Sequence, residues 1–345
     1  MSVSDEPLLA VKDLKTWFDT GGSGLFGGGS RPLKAIDGVN FNIASGEVLG
    51  LVGESGCGKS TVGRTLTLLE KATDGEALFE GEDILQMTNA EFRPSRRSIQ
   101  MIFQDPFASL NPRLTIEQTL TEPLRIHGIA TGRQEIKTTI ANMLTQVGLD
   151  PSVMTRYPHE FSGGQRQRIG IARVMILTPK LIIADEAVSA LDVSIQAQVL
   201  NLIKDLQRQS GVSMLFISHD LGVVRHISDR VAVMYLGRIV ETGDVRNVIK
   251  HPAHPYTQGL INALPQMATP GERLNQIRGS MPSLSNLPSG CAFHPRCDFI
   301  NRADGQPRPA CTQQVPEFVE SGNCRVACHM VAEMLEDRRL KEETS

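Results

Sequence analysis

The sequence predicts an α/β fold built around a phosphate-binding loop. The glycine-rich run Gly53-Glu54-Ser55-Gly56-Cys57-Gly58-Lys59-Ser60 follows the apolar run Val48–Val52 and has the spacing G-x-x-x-x-G-K-S/T. Two further apolar runs, Leu181–Ala184 and Met214–Ser218, are typical of strands that are buried on both faces. Both end at polar residues, as strands do at the ligand-binding edge of an open α/β sheet.

The glycine-rich run predicts a cradle for phosphate groups. Its glycines allow a tight turn with inward-pointing N–H groups, and the helix expected from about Lys59 directs its positive end at the same place. Lys59 would reach the β- and γ-phosphates, and the Ser60 hydroxyl would ligate Mg²⁺. The alternative is a chance glycine-rich turn, but such a turn needs neither the flanking strand and helix nor the Lys-Ser pair.

An acidic pair and a histidine follow the two buried runs. Asp185 is suited to hold Mg²⁺, and Glu186 is suited to polarise an attacking water as a general base. Taken alone, such a pair more often marks a solvated turn. His219 comes directly after the run at 214–218, and its position at the sheet edge singles it out from ordinary structural histidines.

A third motif, Phe161-Ser162-Gly163-Gly164-Gln165, precedes a helical pattern that continues to Leu177. Ser-Gly-Gly before a helix can form a second anion-binding terminus, although alone it usually marks only a flexible turn. The order of the motifs carries more information than any one of them. From about residue 8 to 250 the chain resembles the ABC-type ATPases, through the motifs at 53–60, Gln104, 161–165, 185–186, Ser189-Ala190-Leu191-Asp192 and His219.

This resemblance implies a P-loop NTPase core of ABC type with an inserted helical subdomain. It implies catalytic residues Glu186, His219, Gln104 and Asp192, and Mg²⁺ ligands Ser60, Gln104 and Asp185. Phe161–Gln165 would be the signature motif, which closes over ATP bound to a partner domain. Ala187 departs from the family pattern, which has proline there. The implied ATP contacts are Gly53, Glu54, Ser55, Gly56, Cys57, Gly58, Lys59, Ser60, Thr61 and, for stacking on adenine, Phe18 with Trp17 as the alternative.

Cys57 is expected to be a reactive thiol. It lies among backbone N–H donors just ahead of a helix N-terminus, a setting that favours the thiolate. ATP should then protect it from alkylation, whereas an ordinary buried thiol would not react in either state.

Composition and charge exclude several classes of protein. The 345 residues include 35 basic and 38 acidic side chains, a formal net charge of -3, so nothing favours nucleic acid. No apolar run reaches about 18 residues, and the N-terminus lacks the pattern of a signal peptide. We therefore expect a chain on the cytoplasmic side, with any membrane path formed by other subunits.

Hydrophobic patterns divide the chain into four predicted segments. These are the first part of the core at 1–105, the helical subdomain at 106–165, the second part of the core at 166–250 and an extension at 251–345. The helical segment shows clear periodicity in Ile116–Ile126 and Gln134–Val147 and no strand signal. Glycine-rich stretches at 21–24 and 27–30 are expected to be loops. The predicted core strands are Leu8–Leu14, Ala35–Ile43, Glu47–Val52, Leu181–Ala184, Met214–Ser218, Val231–Tyr235 and Arg238–Thr242.

The sequence of the extension narrows the resemblance to one subfamily of these ATPases. His254-Pro255-Tyr256-Thr257 and the run from Gly290 through Cys291 to Cys297 resemble the small Cys-containing C-terminal extension of ATP-binding subunits from dipeptide/oligopeptide importers. Residues 103–112 and 188–194 match the same subfamily. The resemblance is nearest to the F-type subunits of dipeptide permeases.

Five of the six cysteines lie in this extension, and clustered thiols in a cytosolic chain favour a metal over disulfides. Cys324 would be the spare thiol. A Cys₄ zinc site and a metal-free, loosely ordered tail are the alternatives. Because the extension is far from the ATP motifs in sequence, we expect Cys297→Ser to affect its stability and assembly more than ATP binding. The resemblance implies a [4Fe-4S] cluster on Cys291, Cys297, Cys311 and Cys328.

The resemblance further implies the ATP-hydrolysing subunit of an importer for dipeptides, oligopeptides or another small solute such as an opine, oligosaccharide or metal chelate. The expected partners are a second, different ATPase subunit facing it head to tail, two transmembrane permease subunits and an extracytoplasmic solute-binding protein. The chain would lie on the cytoplasmic face of the inner (plasma) membrane as a peripheral subunit. A DNA-repair ABC protein would need a long coiled-coil or zinc-hook insertion within the ATPase core, and the sequence shows none. A translation factor of the ABC type would need two ATPase domains, whereas this sequence shows one. Intact Glu186 and His219 disfavour a non-catalytic regulatory subunit.

Overall fold

Two sheets and the helices packed around them form the α/β fold that the sequence predicts. The computed structural model describes residues 6–19, 32–105, 109–263, 277–301 and 305–334. The strands are β1 Leu9–Phe18, β2 Leu33–Ile43, β3 Val48–Val52, β4 Asp74–Phe79, β5 Glu82–Asp83, β6 Ile99–Ile102, β7 Leu181–Asp185, β8 Ser213–Ser218, β9 Arg230–Tyr235, β10 Arg238–Asp244, β11 Phe318–Ser321 and β12 Cys324–Ala327. The helices are α1 Lys59–Leu66, α2 Asn89–Phe92, α3 Ser95–Ser98, α4 Ile116–Ile126, α5 Arg133–Gln146, α6 Gly163–Met175, α7 Val193–Ser210, α8 Leu221–Ile227, α9 Val245–Lys250, α10 Pro255–Asn262 and α11 Pro309–Gln313.

The larger sheet has eight strands in the order β11-β12-β10-β9-β3-β8-β7-β6. Strands β9, β3, β8, β7 and β6 run parallel, whereas β10, β12 and β11 are antiparallel. Every residue of β3, β7 and β8 is buried, as continuous apolar runs require in a sheet covered on both faces. The carboxyl ends of these three strands therefore lead into the same edge of the sheet.

Alternating side chains of the parallel strands enter two different cores. In β3, Val48 and Val52 pack in a core with the helices that include α6, α7 and α8. Leu49 and Leu51 pack on the opposite face, against α1 and the antiparallel sheet β2-β1-β4-β5. This period of two fixes the register of the strand that feeds the glycine-rich loop.

The described residues from 109 to 165 contain helices but no strand, as the sequence predicts for that stretch. Helix α4 begins and ends at the predicted residues, and α5 is displaced by one residue at each end. Thr115 caps α4, since its hydroxyl accepts from the Gln118 N–H while the Gln118 side chain accepts from the Thr115 N–H. No helix within the described ranges is both long and apolar enough to cross a membrane.

The structure departs from the predicted elements at both ends of the chain. β1 extends to Phe18, four residues beyond Leu14, while the glycine-rich stretches at 21–24 and 27–30 lie outside the described residues. In the extension, β12 pairs with β10 and lengthens the core sheet. The described part of the extension is therefore joined to the core by main-chain hydrogen bonds, which contradicts the alternative of a loosely ordered tail.

Candidate nucleotide site

The glycine-rich loop follows β3 and lies against the backbone of two neighbouring strands. A Cβ on Gly53 would be 2.1 Å from the Met234 carbonyl oxygen, and one on Gly58 would be 2.1 Å from the Ala35 carbonyl oxygen. Gly58 also has a φ of +107°, in the region that favours glycine. Only glycine fits at these two positions, because β2 and β9 approach the loop so closely.

Lys59 begins α1 and is 3% exposed. Its amino group donates hydrogen bonds to the carbonyl oxygens of Gly53 at 2.8 Å and Glu54 at 2.9 Å. Ser55 and Gly56, at the tip of the loop, are exposed. The loop therefore encloses a buried cation and presents its tip to solvent, an arrangement suited to an anion.

Ser60 and Asp185 come together although they are 125 residues apart in sequence. The Ser60 hydroxyl donates to Asp185 Oδ1 at 2.8 Å. Asp185 ends β7 and is 3% exposed, and burial raises the pKa of its carboxyl group. A buried carboxylate beside a hydroxyl at the mouth of a phosphate cradle is a suitable donor set for Mg²⁺.

Glu186, Gln104 and His219 form a second cluster at the same edge. Gln104 Nε2 donates to Glu186 Oε2 at 3.0 Å, and His219 Nδ1 lies 3.4 Å from Glu186 Oε1. Glu186 has a φ of +46°, and its N–H donates to the Ile217 carbonyl oxygen at 3.0 Å. A non-glycine residue in the left-handed region is strained, and such strain is concentrated at functional sites. Strand β8 thus holds the backbone that aims this carboxylate.

The 161–165 segment stands apart from this cluster. Ser162 caps α6, and a reciprocal pair of hydrogen bonds joins it to Gln165. Phe161 is buried, whereas Ser162 and Gln165 are exposed. Among the described residues no hydrogen bond or ion pair links this segment to the 53–61 loop. Asp192, before α7, is also exposed and does not cap that helix with its side chain.

The two aromatic candidates for adenine lie at the end of β1. Trp17 pairs with Lys34 and Phe18 with Leu33 in β2, the strand whose Ala35 carbonyl lies against Gly58. The amino group of Lys34 lies 4.3 Å from the centre of the Trp17 ring, so this ring already makes a cation–π contact. Phe18 is half-buried. Thr61, the last predicted ATP contact, is half-buried on α1.

The expectation of a reactive Cys57 is wrong. This side chain is fully buried, and burial raises the pKa of its thiol, although the nearby Lys59 opposes the shift. The side chain packs in the apolar core that also contains Val62 and Met234. Position ahead of a helix N-terminus therefore does not favour the thiolate here, because desolvation outweighs the helix dipole and the lysine.

Two residues of the extension contact the loop, and sequence reasoning missed both. Arg296 forms a two-pronged ion pair with Glu54, with N···O distances of 2.6 and 3.1 Å. The Tyr256 hydroxyl accepts a hydrogen bond from the Glu54 N–H at 2.8 Å. Both residues belong to motifs that define the resemblance of the extension, but nothing in the sequence indicates that Tyr256 reaches back 202 positions and Arg296 reaches back 242.

Cys291, Cys297, Cys311 and Cys328 line one cavity in the extension, together with His254. Cys324 does not line it and packs beside Gly243 of β10 instead. Burial, with a smaller contribution from the other three thiols, raises the pKa of Cys291 to about 12, and burial raises that of Cys297 to about 11. In the described ranges, no group of three or more His, Cys, Asp or Glu side chains is arranged to hold a metal ion.

Both parts of the chain match known families. Residues 36–189 match the family described as ABC transporter, and residues 240–303 match the oligopeptide/dipeptide transporter C-terminal region. The chain is 49% identical to the oligopeptide transport ATP-binding protein AppF of Bacillus subtilis over 95% of this chain and 99% of that protein. It is 53% identical to the oligopeptide transport ATP-binding protein OppF of Salmonella typhimurium over 93% of this chain and 95% of that protein.

Solved structures agree with these similarities. The ATP-binding cassette MJ0796, a dimer in a post-hydrolysis state bound to ADP and Pi, is 27% identical with a TM-score of 0.61 over 69% of this chain and 99% of that one. The protein cbiO1 of Clostridium perfringens, part of the ABC transporter complex cbiONQ, is 26% identical with a TM-score of 0.61 over 72% of this chain and 92% of that one.

Proposed function

This chain belongs to the ABC transporter family and is an ABC-type ATPase, and from that premise we propose that it powers the import of dipeptides or oligopeptides across a membrane. The observation that carries the proposal is the pair of clusters at the sheet edge, Ser60 with Asp185 and Gln104 with Glu186 and His219. The peptide cargo rests on the names of the relatives, which are oligopeptide transport proteins. Import of another small solute, such as an opine, an oligosaccharide or a metal chelate, is the second candidate.

The loop at 53–61 would bind the phosphates of ATP, with Lys59 turning from its loop carbonyls toward the β- and γ-phosphates. Ser60, Asp185 and Gln104 would hold Mg²⁺. When bound, this ion neutralises charge that develops on the phosphoryl oxygens. Phe18 would stack on adenine, and Trp17 remains the alternative.

Glu186 would act as the general base for the attacking water. Gln104 and His219 each contact one of its two carboxylate oxygens, so they fix the direction of the carboxylate. The backbone bond to Ile217 holds the residue at its strained φ. This arrangement supports a site that is organised before ATP binds. Such prior organisation supplies most of the electrostatic stabilisation of a phosphoryl transfer.

The exposure of Ser162 and Gln165 supports a shared active site. Phe161, Ser162, Gly163, Gly164 and Gln165 would close over ATP bound to a second ATPase subunit, and Asp192 would lie at the same interface. Hydrolysis would then require two subunits arranged head to tail. We propose a different ATPase chain as the partner, as the subfamily resemblance implies.

An apolar groove supports a membrane partner. It has a volume of about 340 Å³ and lies between β6, α4 and the end of α1. Leu69, Phe103 and Ile126 line it and are 57%, 39% and 60% exposed. Phe103 directly precedes Gln104, so a segment of a permease subunit in this groove would sense the γ-phosphate side of the site. We propose two permease subunits, an extracytoplasmic solute-binding protein and a peripheral position on the cytoplasmic face of the membrane.

The cysteine cavity supports a metal group in the extension. His254 Nδ1 accepts from the Tyr256 N–H, so Nε2 carries the proton, and this buried nitrogen has no partner among the described residues. It could donate to a sulfide or thiolate in the cavity that His254 lines with the four cysteines. A [4Fe-4S] cluster binds each thiolate through a different iron, whereas zinc draws all four within about 2.3 Å of one ion. We propose the cluster on Cys291, Cys297, Cys311 and Cys328, the ligand set that the resemblance implies, with a Cys₄ zinc site as the rival.

The four predicted segments remain part of this proposal: a core at 1–105 and 166–250, a helical subdomain at 106–165 and the extension at 251–345. The helices between residues 109 and 165 support the helical subdomain, and the pairing of β12 with β10 supports an extension that is joined to the core.

Reconstitution tests the function. The chain, co-purified with two permease subunits and a second ATPase into vesicles, should hydrolyse ATP faster when a solute-binding protein loaded with a di- or oligopeptide is added. Stimulation by an oligosaccharide, opine or metal chelate, but not by peptides, would establish the second candidate. Purification without oxygen tests the cluster, since iron and acid-labile sulfide should be found together, and zinc without sulfide would contradict it.

A further inference from the structure

The extension contacts the phosphate loop through one buried charge. Arg296 is 7% exposed, and its guanidinium is surrounded by acceptors. Two nitrogens contact the Glu54 carboxylate at 2.6 and 3.1 Å, and Nε donates to the Arg278 carbonyl oxygen at 2.9 Å. A two-pronged ion pair of this kind fixes both position and orientation. Glu54 is therefore held by the extension and not only by its own loop.

Glu54 is an unusual neighbour for ATP. It is the second residue of the loop that is proposed to receive the phosphates, and its carboxylate would repel them. The ion pair with Arg296 neutralises this charge and turns it toward the extension. Without Arg296, this half-buried carboxylate would stand unpaired beside the phosphates and would repel them.

The turn that carries Arg296 is bounded by two of the clustered cysteines. Cys291 and Cys297 flank it, and the backbone of His294 donates to the Cys291 carbonyl oxygen while the backbone of Cys297 donates to that of His294. Phe293, in the same turn, packs edge-on against Tyr235 at 5.3 Å between ring centres. The position of Arg296 thus depends on the geometry at Cys291 and Cys297.

We propose that Arg296 is a positioning residue of the ATP site, which neutralises Glu54 and makes ATP affinity depend on the state of the cysteine site. The inference rests on the proposed function, because it assumes that the loop at 53–61 binds ATP. It also reverses the expectation drawn from sequence distance, since the extension touches the loop and Cys297→Ser should now weaken ATP binding. If the cysteines hold the proposed group, its loss would release the turn and with it the ion pair.

A charge-neutralisation series tests the proposal in the full chain, with equilibrium binding of Mg-ATP as the readout. Arg296→Met should weaken binding about tenfold, within the usual range of coupling between sites. Glu54→Gln added to Arg296→Met should restore most of the affinity, because the repulsive carboxylate is then gone. A merely structural role would not give this rescue, since the double variant lacks the ion pair as well. Arg325→Met, which breaks the Arg325–Glu320 pair elsewhere in the extension, should leave binding unchanged.

A second set of variants tests whether the cysteines affect ATP binding through Arg296. Cys297→Ser should weaken Mg-ATP binding by a similar factor, and combining it with Arg296→Met should add little, because both act through the same contact. If Arg296→Met does not fold, Arg296→Lys, which keeps the charge but not the fork, should give an intermediate affinity. Parental affinity in both Arg296 variants, with parental thermal unfolding, would overturn the proposal. If the unaltered chain does not bind Mg-ATP, the proposed function fails instead.

Discussion

The glycine-rich segments at 53–60 and 161–165 both precede a helix, yet their surroundings differ. The first is pressed against the backbones of Ala35 and Met234, and the extension holds it through Glu54. The second is anchored by the buried Phe161 and a local capping box, but it is exposed at Ser162 and Gln165. Each segment thus leads into a helix N-terminus, whose N–H groups can bind an anion. The N-terminus after 53–60 is enclosed by its own chain, whereas the one at 161–165 is open to solvent.

This difference gives the two segments different roles in the proposed ATP site: one binds phosphate within its own chain, and the other binds it across an interface. An enclosed terminus can bind phosphate without a partner, because its donors are already organised. An open terminus contributes only when a second surface brings an anion to it. The comparison predicts that damage to the first segment appears in the isolated chain, whereas damage to the second appears only in the assembled transporter.

The largest effects should come from the enclosed site. Glu186→Gln should keep Mg-ATP binding but lower turnover by at least about 100-fold, since the cradle survives and the base is lost. Lys59→Ala should weaken binding itself, because it removes the buried cation of the loop. Binding constants and steady-state rates measured on both variants separate these outcomes. Parental turnover in Glu186→Gln would show that another group activates water.

Alanine at matched glycines sharpens the comparison. Gly58→Ala should abolish ATP binding and lower stability, since its Cβ would lie 2.1 Å from the Ala35 carbonyl oxygen and its φ is +107°. Gly163→Ala should fold normally, because its Cβ would meet only the Leu191 side chain at 3.6 Å. We expect Gly163→Ala to bind ATP as the parent does and to lower turnover about tenfold in the assembled complex only. Weakened ATP binding by isolated Gly163→Ala would contradict an open second segment.

Sequence reasoning was most accurate where chemistry and structure use the same residues. The loop at 53–60 needs glycine for its shape and lysine for its charge, so one short pattern predicts both, and the periodicity of Ile116–Ile126 predicts the bounds of helix α4. It failed where contacts are distant in sequence. Burial of Cys57 depends on strands that pack over it, and the pairing of β12 with β10 joins residues about 80 positions apart, which no local pattern encodes.

Thiol labelling gives a smaller effect that compares the two segments directly. Cys57 is fully buried with a raised thiol pKa, so it should react slowly with a maleimide whether or not Mg-ATP is present. A cysteine introduced by Ser162→Cys should react quickly in the isolated chain and become protected by Mg-ATP in the assembled complex. Mass spectrometry of the labelled peptides distinguishes these sites from the cysteines of the extension. Rapid labelling of Cys57 that ATP suppresses would restore the expectation of a reactive thiol.

The smallest effect separates capping from catalysis at Ser162. Both Ser162 and Thr115 cap a helix through a reciprocal pair of hydrogen bonds with a glutamine three residues later. Ser162→Ala and Thr115→Ala should therefore each lower the free energy of unfolding by about 1 kcal/mol, which denaturant titration can measure. Only Ser162→Ala should also slow ATP hydrolysis, and only in the assembled complex, because Thr115 has no place in the shared site. Equal losses of turnover in the two variants would mean that the Ser162 hydroxyl serves α6 alone and that the partner's ATP does not depend on it.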